Sequence, residues 1–129
     1  MNQDTQTQTK KVLLLDDDSL FGEIIMRIAK KSQLSVDWVG TVTEFTKKAN
    51  SDYDMFVVDY DLDDYTCGDV VKRIKSDFPN KPIAVVSQNN RNLLEDPEEP
   101  IIVDAFFSKW FGNKNVVDSI KMELRKRGR

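Results

Sequence analysis

The chain carries two groups of aspartates, each directly behind a short run of apolar residues. The first group, residues 16–18, follows the run VLLL, and the second begins at Asp59 behind the run MFVV. Carboxylates this close repel one another, and each is more stable hydrated than held against an apolar core. Such a group is therefore a solvated turn, a metal site, or one reactive acid among acidic neighbours.

The composition excludes several kinds of chemistry. The 129 residues include no histidine, which excludes Ser-His and Cys-His nucleophilic pairs, histidine metal ligands and a phosphohistidine carrier. The single cysteine, Cys67, excludes an intramolecular disulfide and agrees with a cytoplasmic location. Any reaction must therefore use carboxylates, lysine, hydroxyl groups and the backbone.

Length and charge predict one soluble domain. A chain of 129 residues fits a single core, and its net charge of −3 gives no general attraction to nucleic acid or anionic membranes. No apolar run approaches the ~20 residues that span a bilayer, and the polar start MNQDTQTQT does not resemble a signal peptide. We expect residues 1–10 to form a disordered tail and residues 11–129 to form the domain.

The apolar pattern predicts strands and helices in alternation. Mostly continuous apolar runs are typical of strands buried on both faces, and they predict strands at residues 12–15, 36–39, 55–58, 83–86 and 105–107. The second of these runs is more polar, which suits a strand at a sheet edge. Helices with one apolar face are expected at residues 20–31, 42–49, 70–78 and 116–124. The predicted helix starts are Ser19, a Thr41–Glu44 capping box and Asn113, and Leu20 is counted on the apolar face of the first helix.

This alternation predicts a doubly wound α/β fold, with a parallel sheet and helices on both faces. The exception lies between the fourth and fifth strands, where Pro97 and Pro100 exclude a regular helix. We expect the fourth helix to be short or irregular, with at most a turn around residues 92–95.

Polar residues follow four of the five predicted strands, and ligands of such sheets bind beyond the carboxyl ends of the strands. These residues are Asp16 and Asp17, Asp59, Ser87 and Lys109. An all-oxygen carboxylate set suits Mg²⁺, and a lysine with a hydroxyl can steady phosphoryl oxygens. Because an aspartate can be the nucleophile that forms an acyl phosphate, the set predicts phosphoryl transfer to a carboxylate.

Four segments in this order resemble the signatures of CheY-like response-regulator receiver domains: LLLDDDS, VVDYDL, VVSQ and FFSKWF. The resemblance covers residues 11 to about 126 and implies the flavodoxin-like strand order 2-1-3-4-5. It also implies a Mg²⁺ site formed by Asp16, Asp17, Asp59 and the backbone carbonyl of Asp61, with Asp59 as the phosphoacceptor.

The resemblance assigns roles to three further residues. Ser87 would hydrogen-bond the phosphoryl group, Lys109 would pair with it, and Ser87 with Phe106 would form the switch. Asp61 and Asn89 would influence the lifetime of the phosphoryl group.

The sequence departs from the family at several positions. Asp63 stands where the family usually has proline, Gln88 replaces a small residue, and Trp110 replaces the proline that follows the lysine through a cis bond. We expect Asp63 and Asp64 to be solvated, Cys67 to be inert, and Trp110 to be a candidate for a partner contact.

As a single-domain receiver, the protein would accept a phosphoryl group from a histidine kinase or phosphotransfer protein and signal through a downstream protein partner. Its own chemistry would be self-phosphorylation from small donors and autodephosphorylation, rather than the turnover of an enzyme. Nucleic-acid binding is disfavoured, because no recognition motif accompanies the basic ending KMELRKRGR. A homodimer is left open.

Two alternatives remain at this stage. The first is a receiver-like interaction module that is not phosphorylated, which Gln88, Trp110 and the proline-rich fourth segment favour. The second is a haloacid-dehalogenase-like phosphatase, in which Asp59 would be the nucleophile and Asp61 the acid/base. That class usually places its D-x-D motif on the first strand and carries a cap, for which 129 residues leave little room.

Overall fold

A computed structural model describes residues 9–63, 65–88 and 101–127 of the chain. The strands β1 to β5 are Lys10–Leu15, Leu34–Val39, Met55–Asp59, Ile83–Ser87 and Ala105–Ser108. The helices α1 to α4 of the described part are Ser19–Lys31, Val42–Lys48, Cys67–Asp77 and Asn113–Arg127, and a 3-10 turn covers Lys109–Phe111.

The five strands form one sheet in the order β2-β1-β3-β4-β5, and every neighbouring pair is parallel. This confirms the predicted doubly wound architecture, with the more polar β2 at an edge. The register pairs Leu15 with Val58, and Asp59 with Val86. The carboxyl ends of β1, β3 and β4 therefore lie next to one another.

Two apolar layers cover the sheet, because successive side chains of a strand point to opposite faces. Leu14 and Val57 pack with residues of α1 and α4, whereas Leu13 and Phe56 pack with residues of α2 and α3. All four side chains are at most 2% exposed. Burial of each such side chain contributes about 1.5–3 kcal/mol, which holds the strand ends in fixed positions.

The start of α1 differs from the prediction. Asp18 is the N-cap, since its carboxylate Oδ1 accepts a hydrogen bond from the Phe21 N–H at 3.2 Å, and Ser19 is already the first helical residue. An aspartate also favours this position through the positive end of the helix dipole. Leu20, expected on the inner face, is 67% exposed because it lies in the first turn, on the side away from Phe21 and Ile25.

The other helix starts follow similar local rules. The capping box of α2 is confirmed, because Thr41 Oγ1 accepts from the Glu44 N–H and donates to its carboxylate, both at 3.1 Å. Asn113, predicted as a cap, is the first residue within α4. Gly112 precedes it with a φ of +99°, and its carbonyl accepts from the Val116 N–H at 3.2 Å. The carbonyl of the residue before a helix is the usual acceptor of its first bond.

Two further expectations concern the start of the domain and its fourth helix segment. Lys10, predicted to belong to the tail, is the first residue of β1 and pairs with Leu34. The irregular segment expected around residues 92–95 lies outside the described residues. Across the described ranges, no helix has both the length and the apolar character required to cross a membrane.

Candidate functional site

Buried polar residues lie at the carboxyl ends of three central strands. Asp16 directly follows β1 and is fully buried, Asp59 ends β3 and is 2% exposed, and Ser87 ends β4 and is fully buried. Buried acids at the edge of an otherwise apolar sheet need compensation by cations or hydrogen bonds. Their position therefore marks a site rather than a solvated turn.

Asp17 completes an acidic cluster with these two aspartates. One carboxylate oxygen from each of Asp16, Asp17 and Asp59 lies within 4.8 Å of the others. Asp17 is exposed, whereas the other two are buried, so the cluster opens to solvent on the side of Asp17. The arrangement brings together the three acids that the sequence placed behind the first and third strands.

The Asp16 side chain has two different surroundings. Its Oδ1 accepts a hydrogen bond from the Asp18 N–H at 2.9 Å. Its Oδ2 lies 2.7 Å from the Lys109 ammonium, but no described group donates to this buried oxygen with the angle of a regular hydrogen bond. The Lys109 contact is an ion pair, because the two charged atoms are close and only the hydrogen-bond angle is unfavourable. This oxygen therefore has an unsatisfied acceptor capacity beside the other two acids.

Lys109 bridges the two buried acids from the turn that follows β5. Its ammonium is 2.7 Å from Asp16 and 4.0 Å from Asp59, and it lies 4.2 Å from the centroid of the Phe21 ring. The Lys109 side chain is 10% exposed, so water screens these interactions weakly. The aromatic face adds a favourable contact for the cation. One ammonium thus partly compensates two carboxylates, and it favours Asp16.

Asp59 is the acid with the most perturbed protonation. Its pKa is raised to about 8, chiefly by burial and also by the neighbouring Asp16 charge, although Lys109 and the Asp61 N–H act to lower it. That N–H donates to Asp59 Oδ1 at 3.3 Å. Without additional positive charge, the carboxyl group keeps its proton near neutral pH. A cation at the cluster would displace this proton.

The residues present fit a divalent cation of the hard, oxygen-seeking kind. All three acids offer oxygen, two of them are buried next to each other, and Asp16 Oδ2 has an incomplete set of donors. Two or more like charges at this separation are costly unless a cation neutralises them. Asp59 lies beside Asp16 in the buried part of the cluster, at the end of the central strand β3.

The remaining predicted site residues lie around this cluster. Ser87 pairs with Ser108 in the sheet, and Phe106, opposite Val85, is partly buried. Asp63 is exposed, as expected, and Asp64 and Asn89 lie outside the described residues. The Cys67 thiol is a buried core group whose pKa is raised to about 12, mainly by burial.

The turn behind Lys109 presents apolar surface. Its Lys109–Trp110 peptide is trans, since the described residues contain no cis peptide bond. Trp110 is 72% exposed and Phe111 is 65% exposed. A groove of about 340 Å³ runs beside Lys109, with Leu20, Gln88 and Trp110 among its lining residues. The groove therefore places exposed apolar side chains beside Lys109, next to the acidic cluster.

Sequence reasoning missed one residue that contacts the site. The Trp38 indole N–H donates to the Asp16 main-chain carbonyl at 2.7 Å. A signal was present, because a tryptophan on an edge strand must find a partner for its N–H once the ring is covered. Its partner could not be identified before the register of β1 and β2 was known.

Comparisons with known proteins agree with this geometry. A family model described as the response regulator receiver domain matches residues 12–121. The chain is similar to a CheY-like receiver domain protein from Methanospirillum hungatei JF-1, with a TM-score of 0.77, 18% identity, and coverage of 94% of this chain and 98% of that chain. The amino-acid sequence matches no curated protein significantly.

Two further solved structures share the fold. The non-phosphorylated HemR receiver domain from Leptospira biflexa has a TM-score of 0.78 and 19% identity, covering 90% of this chain and 94% of that chain. A receiver domain protein from Clostridium thermocellum has a TM-score of 0.72 and 18% identity, covering 92% of this chain and 97% of that chain. At these identities the structures establish the fold, and the family match establishes the relationship. We conclude that the chain belongs to the response regulator receiver domain family and is a receiver of two-component signalling.

Proposed function

We propose that this receiver accepts a phosphoryl group on Asp59, with Mg²⁺ held by the Asp16, Asp17 and Asp59 carboxylates and by the backbone carbonyl of Asp61. The observation that carries the proposal is the meeting of buried Asp59 with two further acids and the Lys109 ammonium at one sheet edge. The donors would be a histidine kinase or a phosphotransfer protein.

The metal requirement follows from charge. When bound, Mg²⁺ would neutralise the clustered carboxylates and contact phosphoryl oxygens, which it binds readily together with one or two carboxylates. The raised pKa of Asp59 supports this, because added positive charge at the cluster would increase the ionised, nucleophilic fraction of this carboxyl group near neutral pH.

The transfer step uses the chain's own groups. A carboxylate oxygen of Asp59 attacks the phosphorus of a phosphoimidazole, a P–O bond forms and the P–N bond breaks. The electron pair stays on the imidazole nitrogen of the donor. The Lys109 ammonium, 4.0 Å from Asp59, and the buried Ser87 hydroxyl would contact the phosphoryl oxygens as their charge shifts.

Hydrolysis would reset the protein. Water attacks the phosphorus, the bond to Asp59 breaks, and the carboxylate and inorganic phosphate result. Asp61 and Asn89 are the groups proposed to set this rate, by resemblance to the family. The proposed role is that of a cytoplasmic signalling protein that is reset by this hydrolysis, rather than that of a dedicated enzyme.

The output would pass through Ser87 and Phe106. Ser87 ends β4 and pairs with Ser108, and Phe106 lies two residues earlier on the same strand β5. A shift of the Ser87 hydroxyl toward the phosphoryl group would act on Phe106 through this pair of strands. The partial burial of Phe106 supports two arrangements of the ring, which would alter a surface near β4 and β5 for a downstream protein.

The test is incubation of the full chain with acetyl phosphate and Mg²⁺, followed by measurement of the intact mass. We expect a gain of one phosphoryl group that is abolished by Asp59→Asn and by removal of Mg²⁺ with a chelator. No gain in the parent protein would favour the unphosphorylated interaction module. Rapid hydrolysis of an aryl phosphate ester that Asp61→Asn abolishes would favour the phosphatase.

A further inference from the structure

We propose that Trp38 is a positioning residue for the metal site, because its indole N–H fixes the main chain of Asp16 and thereby the carboxylate that faces Asp59. This inference rests on the proposed metal site. It adds a residue on the edge strand β2 that contacts no ligand itself.

The first observation is the hydrogen bonding of the Asp16 peptide groups. The register between β1 and β2 ends at the pair Leu15 and Val39, so Asp16 lies one residue beyond the paired residues of β1. The Asp16 N–H nevertheless donates to the Val39 carbonyl at 3.1 Å, and the Asp16 carbonyl accepts from the Trp38 indole at 2.7 Å. The Trp38 side chain thus supplies a hydrogen-bond donor for the Asp16 carbonyl beyond the last paired residues of the two strands. Two consecutive residues of β2 hold both sides of Asp16.

The second observation is the space around the indole ring. A Cβ atom on Gly22 of α1 would lie 2.5 Å from Cγ and Cδ1 of Trp38, a distance that no real contact allows. A Cβ atom on Gly40 would lie 3.4 Å from Cζ2 of the same ring. The ring therefore occupies a slot that depends on glycine at position 22. Its direction is fixed by packing, so the N–H is held on the Asp16 carbonyl.

The third observation is the repulsion that the hydrogen bond between Trp38 and Asp16 opposes. Asp16 and Asp59 are both buried, with one carboxylate oxygen of each within 4.8 Å of the other, so their repulsion when both are ionised tends to move the Asp16 loop away from the cluster. A metal-binding carboxylate loses affinity when the groups that orient it are removed, typically by 10–100-fold. The indole bond keeps the Asp16 main chain in place before any cation binds.

The experiment compares two variants of the full chain by calorimetric titration with Mg²⁺. Trp38→Phe keeps an aromatic ring against Gly22 but removes the N–H. Tyr53→Phe is the matched control, because it removes a 2.6 Å hydrogen bond to Asp37 of the same strand without touching Asp16. We expect Trp38→Phe to weaken Mg²⁺ binding about tenfold, and Tyr53→Phe to leave the affinity within about twofold of the parent.

A second measurement uses the unaltered protein, so the inference does not depend on how a variant folds. The chain has two tryptophans, and Trp38→Phe assigns their indole ¹H–¹⁵N resonances. We expect the Trp38 indole resonance to shift on saturation with Mg²⁺, since its acceptor belongs to a metal-binding residue.

Equal Mg²⁺ affinity of Trp38→Phe and the parent, equal losses in both variants, or an unmoved Trp38 indole resonance would overturn the positioning role. A parent protein that binds no Mg²⁺ would instead overturn the proposed metal site, and this inference with it.

Discussion

Asp59 and Asp16 lie in a buried environment, where even one ionised carboxylate would cost free energy. Both are buried, and the Lys109 ammonium lies 2.7 Å from one and 4.0 Å from the other. Burial and the neighbouring Asp16 charge together outweigh the effect of Lys109, so the pKa of Asp59 is raised to about 8. At the residue scale, the site is destabilised in a way that a bound cation relieves.

The first prediction concerns pH. In the folded, metal-free protein the pKa of Asp59 is about 8, against an ordinary value of 3.8. Between these pH values the folded chain keeps a proton that the unfolded chain releases, so Asp59 makes the free energy of unfolding fall as pH rises. Asp59→Asn removes this dependence, and we expect it to be more stable than the parent at pH ~8, by about 1–3 kcal/mol.

Urea denaturation with a chelator present, at pH ~6 and ~8, checks this. The groups Tyr53 and Cys67 also have raised pKa values, but they titrate above this range. A parent and an Asp59→Asn protein with the same change in stability between the two pH values would contradict the assignment.

The second prediction concerns Lys109. Lys109→Met keeps an unbranched apolar side chain beside Phe21 but leaves the buried Asp16 carboxylate without its cation, which costs about 3–5 kcal/mol at neutral pH. Mg²⁺ should restore part of this loss, because it supplies the missing positive charge.

Lys114→Met is the matched control, since Lys114 is 79% exposed in its ion pair with Asp118 and should contribute less than ~1 kcal/mol. Thermal denaturation of both variants, with and without Mg²⁺, measures the difference, and similar losses in the two variants would contradict the role of Lys109.

At the scale of helices and strands, the sequence predicted an element correctly where a single local pattern determines it. Apolar runs identified all five strands, and the spacing of Thr41 and Glu44 identified the start of α2. The start of α1 was placed one residue late, because Asp18 and Ser19 are both good caps and the end of β1 decides between them. Trp38 was missed because its partner belongs to another strand.

The third prediction tests the slot between α1 and β2. Gly22→Ala should destabilise the protein by about 1–3 kcal/mol, because the new methyl group overlaps the Trp38 ring. In a Trp38→Ala background the same substitution should cost much less, since the ring is gone. Equilibrium unfolding of the two single variants and the double variant gives a coupling energy, which we expect to exceed ~0.5 kcal/mol. Additive effects would show that the ring can move away freely.

At the scale of the whole molecule, the parallel order of the sheet assembles the site. Residues far apart in sequence, Asp16, Asp59 and Lys109, meet because β1, β3 and β5 all end at the same edge. This convergence could be predicted from the alternation of strands and helices alone. Which acid contacts Lys109 most closely could not, because that depends on side-chain packing around Phe21.

The fourth prediction links this site to global stability. A ligand that binds only the folded state stabilises it by about 1.4 kcal/mol for each tenfold excess over its dissociation constant. Mg²⁺ should therefore raise the midpoint of thermal unfolding, and more so at pH ~8 than at pH ~6, because protons compete with the cation for Asp59. Asp59→Asn should reduce the increase. An increase that does not depend on pH would place the cation elsewhere.

The most direct test of the central claim locates the phosphoryl group within the chain. After treatment with acetyl phosphate and Mg²⁺, borohydride reduces an acyl phosphate to an alcohol, and peptide mass spectrometry identifies the converted residue. We predict conversion of aspartate to homoserine at position 59 alone, and only in samples that contain Mg²⁺. Conversion at Asp61 or Asp63 instead, or at no aspartate while the protein remains folded, would contradict the account.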